Sequence, residues 1–417
     1  MMPLSRKEQF FLLFPEAPPF RFRQFETALF DPTLRDFSGI SNMPLPMREA
    51  FAEKMPWLAL HPAHILESVK KDTYKAVVEL GDLARLDESA RQARVETVLM
   101  QNARGQWTVC VSAQVGCAMA CTFCATGKMG FTRNLIADEI VDQYRFWNVF
   151  LRKRSTLSST LRLGLEERDS KGEDGTVAHR IPQGNPELVE RVERPERISN
   201  LVFMGMGEPL ANYDNVKVAI QALLLHTDIG PTHITVSTVG LLPMLRKILK
   251  DPEWPAVRLA VSLHSADSET RKAMMPTSFD TFLEELEEWA KEYFEKNESR
   301  RRHLTFEYVM LSKINDTEMH AEALIRFARR VGKVRINLIP YNYTPQNSQR
   351  TAGQAGSVYR DSLPADFARF ETLLKEAGVT VMRRRTMGDD IAAACGQLIV
   401  HPALISKKTI VKKERKA

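Results

Sequence analysis

Cysteine is scarce in this chain: there are five in 417 residues. The odd number excludes a fully paired disulfide framework and suits a reducing compartment. Long apolar runs are missing too. The longest near the start, "FFLLF" at 10–14, falls short of the roughly 7–15 residues of a signal-peptide core and the roughly 20 of a membrane helix. The sequence therefore predicts a cytoplasmic protein with no membrane partner. Positive charge is plentiful: 58 Lys and Arg stand against 52 Asp and Glu, a net charge of +6. It gathers in Arg383, Arg384 and Arg385 and in "KKTIVKKERK" at 407–416. Such runs are commonly solvated ends, but they also favour nucleic acid, because each neutralised phosphate releases counterions. With 44% hydrophobic residues, a chain of this length can bury a full core and hold more than one domain.

Three of the five cysteines fall within eight positions, Cys117-x3-Cys121-x2-Cys124, in "CAMACTFCATGKMGF". A structural zinc site usually takes four ligands, often as two separated pairs, and no second pair follows. A [4Fe–4S] cluster held by three thiolates keeps one iron open to another ligand. This spacing, with Phe123 before the last thiol, resembles the signature of the radical S-adenosylmethionine (SAM) superfamily. There the amino and carboxylate groups of SAM chelate the open iron, and a 5′-deoxyadenosyl radical is generated. The plainer alternative is a clasp for a structural metal.

Residues 1–90 read as a small helical domain, because "PFRFRQFETALF" (19–30) and "PLPMREAFAEKM" (44–55) place apolar residues three or four apart behind prolines. Alternation on both sides of "NARG" (102–105) then predicts a hairpin leading into a first core strand. Six strands follow, at 107–113, 200–205, 233–238, 257–263, 304–311 and 334–339, with helices at 135–150, 212–225, 241–250, 280–297 and 317–331 between them. This β/α alternation predicts a parallel sheet curled into a partial (β/α)6 barrel over 91–345, with its site at the C-terminal ends of the strands. A polar stretch at 151–198 without apolar period reads as a flexible surface insertion. A C-terminal segment, 346–417, completes the chain.

"MGMGEPL" (204–210) follows the second strand and bends through Gly205 and Gly207 to Glu208. With "RVET" (94–97), "TVCVSAQVGCAMACTFCATG" (108–127), "FTRNL" (131–135), "STVG" (237–240), "SLH" (262–264), "FEYVML" (306–311), "INLIPYN" (336–342) and "GDDIAAACGQL" (388–398), it carries a close resemblance to the RlmN/Cfr family of radical SAM RNA adenine methyltransferases, over nearly the whole chain. The resemblance implies a [4Fe–4S] cluster on Cys117, Cys121 and Cys124. It implies SAM contacts from Gly207, Glu208, Ser237, Ser262, Leu263, His264 and Asn337. It makes Cys395 a methyl carrier in a mobile setting, Cys110 the thiol that resolves the product through a disulfide, and Glu96 the proton acceptor. The expected partners are 23S rRNA, tRNA and an electron donor such as flavodoxin or ferredoxin, with the N-terminal helices as an RNA-binding accessory. Adenine C2 is the expected position. Ala392, where an acidic residue is common, and the 151–198 insertion depart from the family, and the C8-methylating branch shares the same machinery.

Overall fold

The computed structural model describes residues 3–81, 93–169, 196–296, 304–342 and 359–398, with backbone alone over 156–169. It begins with three helices, α1 (Arg6–Leu13), α2 (Pro19–Leu29) and α3 (Leu45–Lys54). Ser5 and Glu8 close a reciprocal capping box on α1, and prolines with a fixed φ start α2 and α3. The three bury an aromatic core of Phe10, Phe25, Phe37 and Phe51, with the rings of Phe25 and Phe51 4.8 Å apart.

The helical reading holds only to about Met55. Leu60–Glu67 (β1) and Thr73–Leu80 (β2) form an antiparallel hairpin instead. Almost every residue of β2 is buried, so its two faces do not differ and no period of two shows in the sequence. The expected hairpin at 94–110 is present as β3 (Arg94–Gln101) and β4 (Trp107–Cys110).

Beyond β4 come the short pair β5 (Gln114–Gly116) and β6 (Phe131–Asn134) around α4 (Ala125–Lys128), and then the long helix α5 (Ala137–Asp169). Much of the stretch read as an insertion is thus the end of α5, and 170–195 lies outside the described residues. The α/β series continues as β7 (Ile198–Phe203), α6 (Tyr213–His226), β8 (Ile234–Thr238), α7 (Leu242–Lys250) and β9 (Arg258–Ser262). It ends as α8 (Ser268–Met274), α9 (Phe282–Lys296), β10 (Leu304–Met310), α10 (Glu318–Val331), β11 (Val334–Pro340), α11 (Pro364–Glu376) and β12 (Thr380–Arg383).

The main sheet runs β1-β2-β3-β4-β7-β8-β9-β10-β11-β12. It is antiparallel as far as β4 and parallel from there on. The predicted six parallel strands therefore gain a seventh, β12, whose four residues are too few to show an alternating period. After β12 the chain returns to the opposite end of the sheet, where Val69 N–H donates to Asp390 (2.7 Å) and Lys75 Nζ to the Ala392 carbonyl (3.0 Å).

The helical unit is fastened to α5 by buried charge. Arg6 and Arg145 both pair with Asp142, Asp142 also accepts from Ala59 N–H, and the arginines donate to the carbonyls of Trp57 and Leu29. No helix among the described residues is long and apolar enough to cross a membrane.

Candidate active site

The loops at the C-terminal ends of the parallel strands enclose a cavity of ≈ 170 Å³. It gathers Cys117, Cys121, Cys124, Gly207, Glu208, Ser237, Ser262, His264 and Cys395 from the residues expected at the site, and adds Glu307 and Arg384.

Cys117 follows β5 and Cys124 caps α4. The turn is tight: a Cβ on Gly116 would stand 1.9 Å from the Gly130 carbonyl oxygen, and Gly116 has φ +76°, so only glycine fits. Thr122 N–H and Oγ1 both reach the Met274 carbonyl (3.0 Å each), which ties the cysteine loop to α8. Met119, Met274, Met275, Val309, Leu311 and Tyr341 pack around the thiols as a separate apolar cluster. Burial pushes the Cys117 thiol up to about 11 and the Cys121 thiol higher, which favours the neutral forms while no cation stands among them.

Two cations act on these thiols, Lys128 on Cys124 and the buried Arg271 on Cys121. The Arg271 guanidinium donates to the carbonyls of Leu263 and Val239 and to Ser278, and lies 3.6 Å over the Phe282 ring. Burial pulls its pKa down to about 9, while Cys121 opposes the fall. A buried cation beside three thiols suits an anionic thiolate cluster. Three thiols in one short loop, with no fourth ligand in its motif, fit a four-iron cluster, which each thiolate would hold through a different iron while one iron stays open; a structural zinc site usually takes four ligands.

Glu208 is fixed by its neighbours. One carboxylate oxygen accepts from Leu210 N–H (2.9 Å) and the other from Val239 N–H (2.7 Å), and Gln114 Oε1 accepts from Glu208 N–H (2.8 Å). Gly205 and Gly207 make room: a Cβ on the first would meet the Val111 carbonyl at 2.6 Å, and on the second Gln114 Cβ at 2.4 Å. Burial raises the Glu208 carboxyl to about 7, against the pull of its hydrogen bonds from Val239, Thr238 and Leu210. Glu307 Oε1 accepts from Asn337 (2.9 Å), while Oε2 is buried without a hydrogen-bond partner. Such an orphaned acceptor is costly unless a ligand satisfies it. His264 has φ +56°, accepts from Val309 N–H at Nδ1 (3.1 Å) and meets Phe123 edge-on. Burial, and then Arg271, hold it neutral, with a pKa of about 3.

Four expected residues stand apart from this cavity: Leu263, Asn337, Glu96 and Cys110. Leu263 is fully buried in the main core, so only its backbone is near the site. Asn337 sits behind Glu307 as its donor. Glu96 is fully buried, with Lys75 Nζ at 3.2 Å, and Lys75 in turn holds the Ala392 carbonyl. The Cys395 loop thus covers Glu96.

Cys395 is exposed on the cavity wall, yet the protein around it raises its pKa, and Arg384 pulls it back through a hydrogen bond and its charge. Its loop is not loose as expected. The Gly396 carbonyl accepts from Ala125 N–H (2.9 Å), Asn342 Nδ2 donates to the Cys395 carbonyl (3.1 Å), Gln397 bonds Asp389, and Thr126 holds the Leu398 carbonyl. Cys110 lies deeper, pushed up to about 12 by burial and then by Cys395. It shares with Cys395 a second cavity of ≈ 340 Å³. Arg271 and Arg384 were missed in the sequence, whereas Glu307 falls inside the motif "FEYVML" and is a polar residue on a core strand. The run "RRR" (383–385) marked Arg384 only as surface charge, and no local signal marks Arg271.

A thiol triplet above the C-terminal rim of an α/β barrel is the arrangement of a radical SAM enzyme, and the family model described as "Radical SAM superfamily" matches residues 182–325. The dual-specificity RNA methyltransferase RlmN of Desulfotalea psychrophila is 34% identical over 91% of this chain and 89% of its own length. The ribosomal RNA large subunit methyltransferase N of Nitrosopumilus maritimus is 34% identical over 87% and 88%. A crystal structure of a radical SAM methyltransferase from Sphaerobacter thermophilus superposes with a TM-score of 0.72 at 30% identity, over 95% of this chain and 97% of that one. The chain belongs to the RlmN family of radical SAM RNA methyltransferases, enzymes that use a [4Fe–4S] cluster and SAM.

Proposed function

We propose that this enzyme methylates C2 of an adenine in the peptidyl-transferase centre of 23S rRNA and of the adenine 3′ of the anticodon in tRNA, with Cys395 as the methyl carrier. The observation that carries the reading is the placing of Cys395: it stands on the wall of the cavity that holds the three thiols, and it shares a second cavity with Cys110. C2 is an electron-poor ring carbon with no lone pair, so simple displacement of a methyl group onto it fails. When bound, the cluster and SAM supply the 5′-deoxyadenosyl radical that such a carbon requires.

Each protein group then has one task. Cys117, Cys121 and Cys124 hold the cluster. Glu208 meets the SAM amino group, with Ser237, Ser262, His264 and the backbone at Gly207 and Leu263 around the rest of the ligand. Asn337 acts by orienting Glu307. Cys395, its thiolate favoured by Arg384, would take the methyl from a first SAM by displacement and present it to the base, the reaction using a second SAM. Glu96 accepts the ring proton once Lys75 and the Ala392 carbonyl move aside. Cys110 attacks the Cys395 sulfur. The adduct has by then given up its odd electron and its ring proton. The bond between the Cys395 sulfur and the methylene carbon breaks with its electron pair passing to the base, a disulfide forms, and the methylene takes a proton to leave as the methyl of the RNA. A flavodoxin or ferredoxin supplies the electrons, and the N-terminal helices contact RNA.

Mass spectrometry of adenosines from rRNA and tRNA of a host with and without the gene tests this. 2-Methyladenosine that disappears from both with the gene is the expected result. 8-Methyladenosine would overturn the regiochemistry, and no change in either would overturn the RNA reading.

A further inference from the structure

The interior of the barrel is not filled by side chains. Along β7, β8 and β9 the residues turned toward the helices, such as Leu201, Val236 and Leu259, are buried, while Asn200, Val202, Thr235, Ser237, Arg258 and Ser262 on the alternate positions are half-exposed. The ≈ 340 Å³ cavity occupies this interior. It reaches from Cys110, Cys395 and Arg384 to Thr108, Asn200, His233 and Arg258 at the N-terminal ends of β4, β7, β8 and β9, the end of the barrel remote from the cysteine loop.

That end is cationic. Arg258 opens β9 and Arg335 is the second residue of β11, close enough that burial and then Arg335 depress the Arg258 pKa. The Nε atoms of both are buried without a hydrogen-bond partner, and among the described residues neither forms an ion pair. Arg384 and Arg385 line the same cavity, and no Asp or Glu does. Unpaired buried guanidinium donors are held at a cost unless an anion answers them. His233 Nδ1 and Asn200 Oδ1, 2.8 Å apart, add polar atoms at the mouth.

We infer that this cationic mouth is the access route and binding site for a small anionic thiol that reduces the Cys110–Cys395 disulfide after each turnover. The inference rests on the two-thiol reading above, which leaves that disulfide as the end state. On that reading SAM and RNA meet Cys395 from the rim cavity, so a reductant arriving from the opposite end does not compete with them. A thiolate attacks one sulfur of the disulfide, the S–S bond breaks, and the departing cysteine takes a proton. A second thiolate attacks the mixed disulfide and frees the other cysteine. Two thiols are oxidised to one disulfide, and two cysteines are reduced.

The test uses the full chain with Cys117, Cys121 and Cys124 replaced by Ala, which leaves Cys110 and Cys395 as the remaining cysteines. The pair is oxidised with diamide, and its recovery is timed with 3-mercaptopropionate, 2-mercaptoethanol and cysteamine, each compared between the parent and Arg258→Ala/Arg335→Ala. The expected result is a roughly tenfold slowing for 3-mercaptopropionate, the lower range of electrostatic steering. The neutral thiol should be unaffected and cysteamine faster, and Arg258→Lys/Arg335→Lys should restore the parent rate. Equal slowing with all three thiols, or none with any, overturns the inference. Failure of diamide to join the two cysteines overturns instead the two-thiol reading beneath it. If the cysteine-depleted chain does not fold, the same comparison is read on the chain with all five cysteines, by mass spectrometry of the Cys110 and Cys395 peptides.

Discussion

Single residues decide how the site behaves before its ligands bind. Glu208 is a carboxylate raised by burial, so its effect on stability runs opposite to that of a salt-bridged acid. Its contribution is complete below the usual carboxyl pKa and is lost as pH rises toward about 7. Ionising it in the empty protein costs ~3 kcal/mol for a shift of this size. Denaturant titrations should therefore show the cluster-free protein weakening between about pH 4.5 and 7, and Glu208→Gln should flatten that slope; an unchanged slope would remove Glu208 as its cause. SAM, which carries an ammonium, should favour the ionised form and bind more tightly as pH rises through the same window. Arg384 acts on Cys395. Because the guanidinium favours the thiolate, Arg384→Met should slow alkylation of Cys395 at neutral pH, read from the labelled Cys395 peptide. Equal labelling would show that the guanidinium serves only Glu307.

Elements differ in how plainly they are written in the sequence. Four of the five helices and the parallel strands from β7 to β11 lie within a few residues of their expected places, because interior and exterior faces differ and the turns between them carry Gly, Pro or Asp; the fifth, α5, runs on to Asp169, well past its expected end at 150. The rim was legible because "CAMACTFC" and "MGMGEPL" each put their polar residues in one short turn. β2 was hidden by burial on both faces, and β12 by its shortness. The contacts of Arg271 with Cys121, of Glu307 with Asn337 and of Lys75 with Glu96 join distant segments, and no local pattern encodes them. The same holds for Asp142, which joins the helical unit to α5. Burial works against its ionisation, but Arg145 and Arg6 outweigh this and hold the carboxyl below its usual pKa. Its contribution is therefore complete above about pH 4 and is lost in acid. Asp142→Asn leaves two buried arginines poorly paired and should cost about 3–5 kcal/mol. Hydrogen exchange should report the loss first in α1 and α2. Unaltered protection there would mean that the aromatic core alone holds the unit in place.

At the scale of the whole molecule, charge and covalent chemistry meet on RNA. The basic tail from Lys407 lies outside the described residues, yet its lysines give a clear expectation. Truncation before Lys407 should weaken RNA binding and make the salt dependence shallower by about 0.9 in log–log slope for each duplex phosphate that the tail no longer neutralises, whereas an unaltered slope would make the tail a solvated end. The central claim is that Cys395 carries the methyl to the base and Cys110 releases the product. It is tested most directly by purifying the Cys110→Ala enzyme from cells and weighing it under reducing, denaturing conditions. The account predicts a nuclease-sensitive increase in mass from covalently held RNA, absent from Cys110→Ala/Cys395→Ala. A Cys110→Ala enzyme that carries no RNA and still methylates at the normal rate would contradict it.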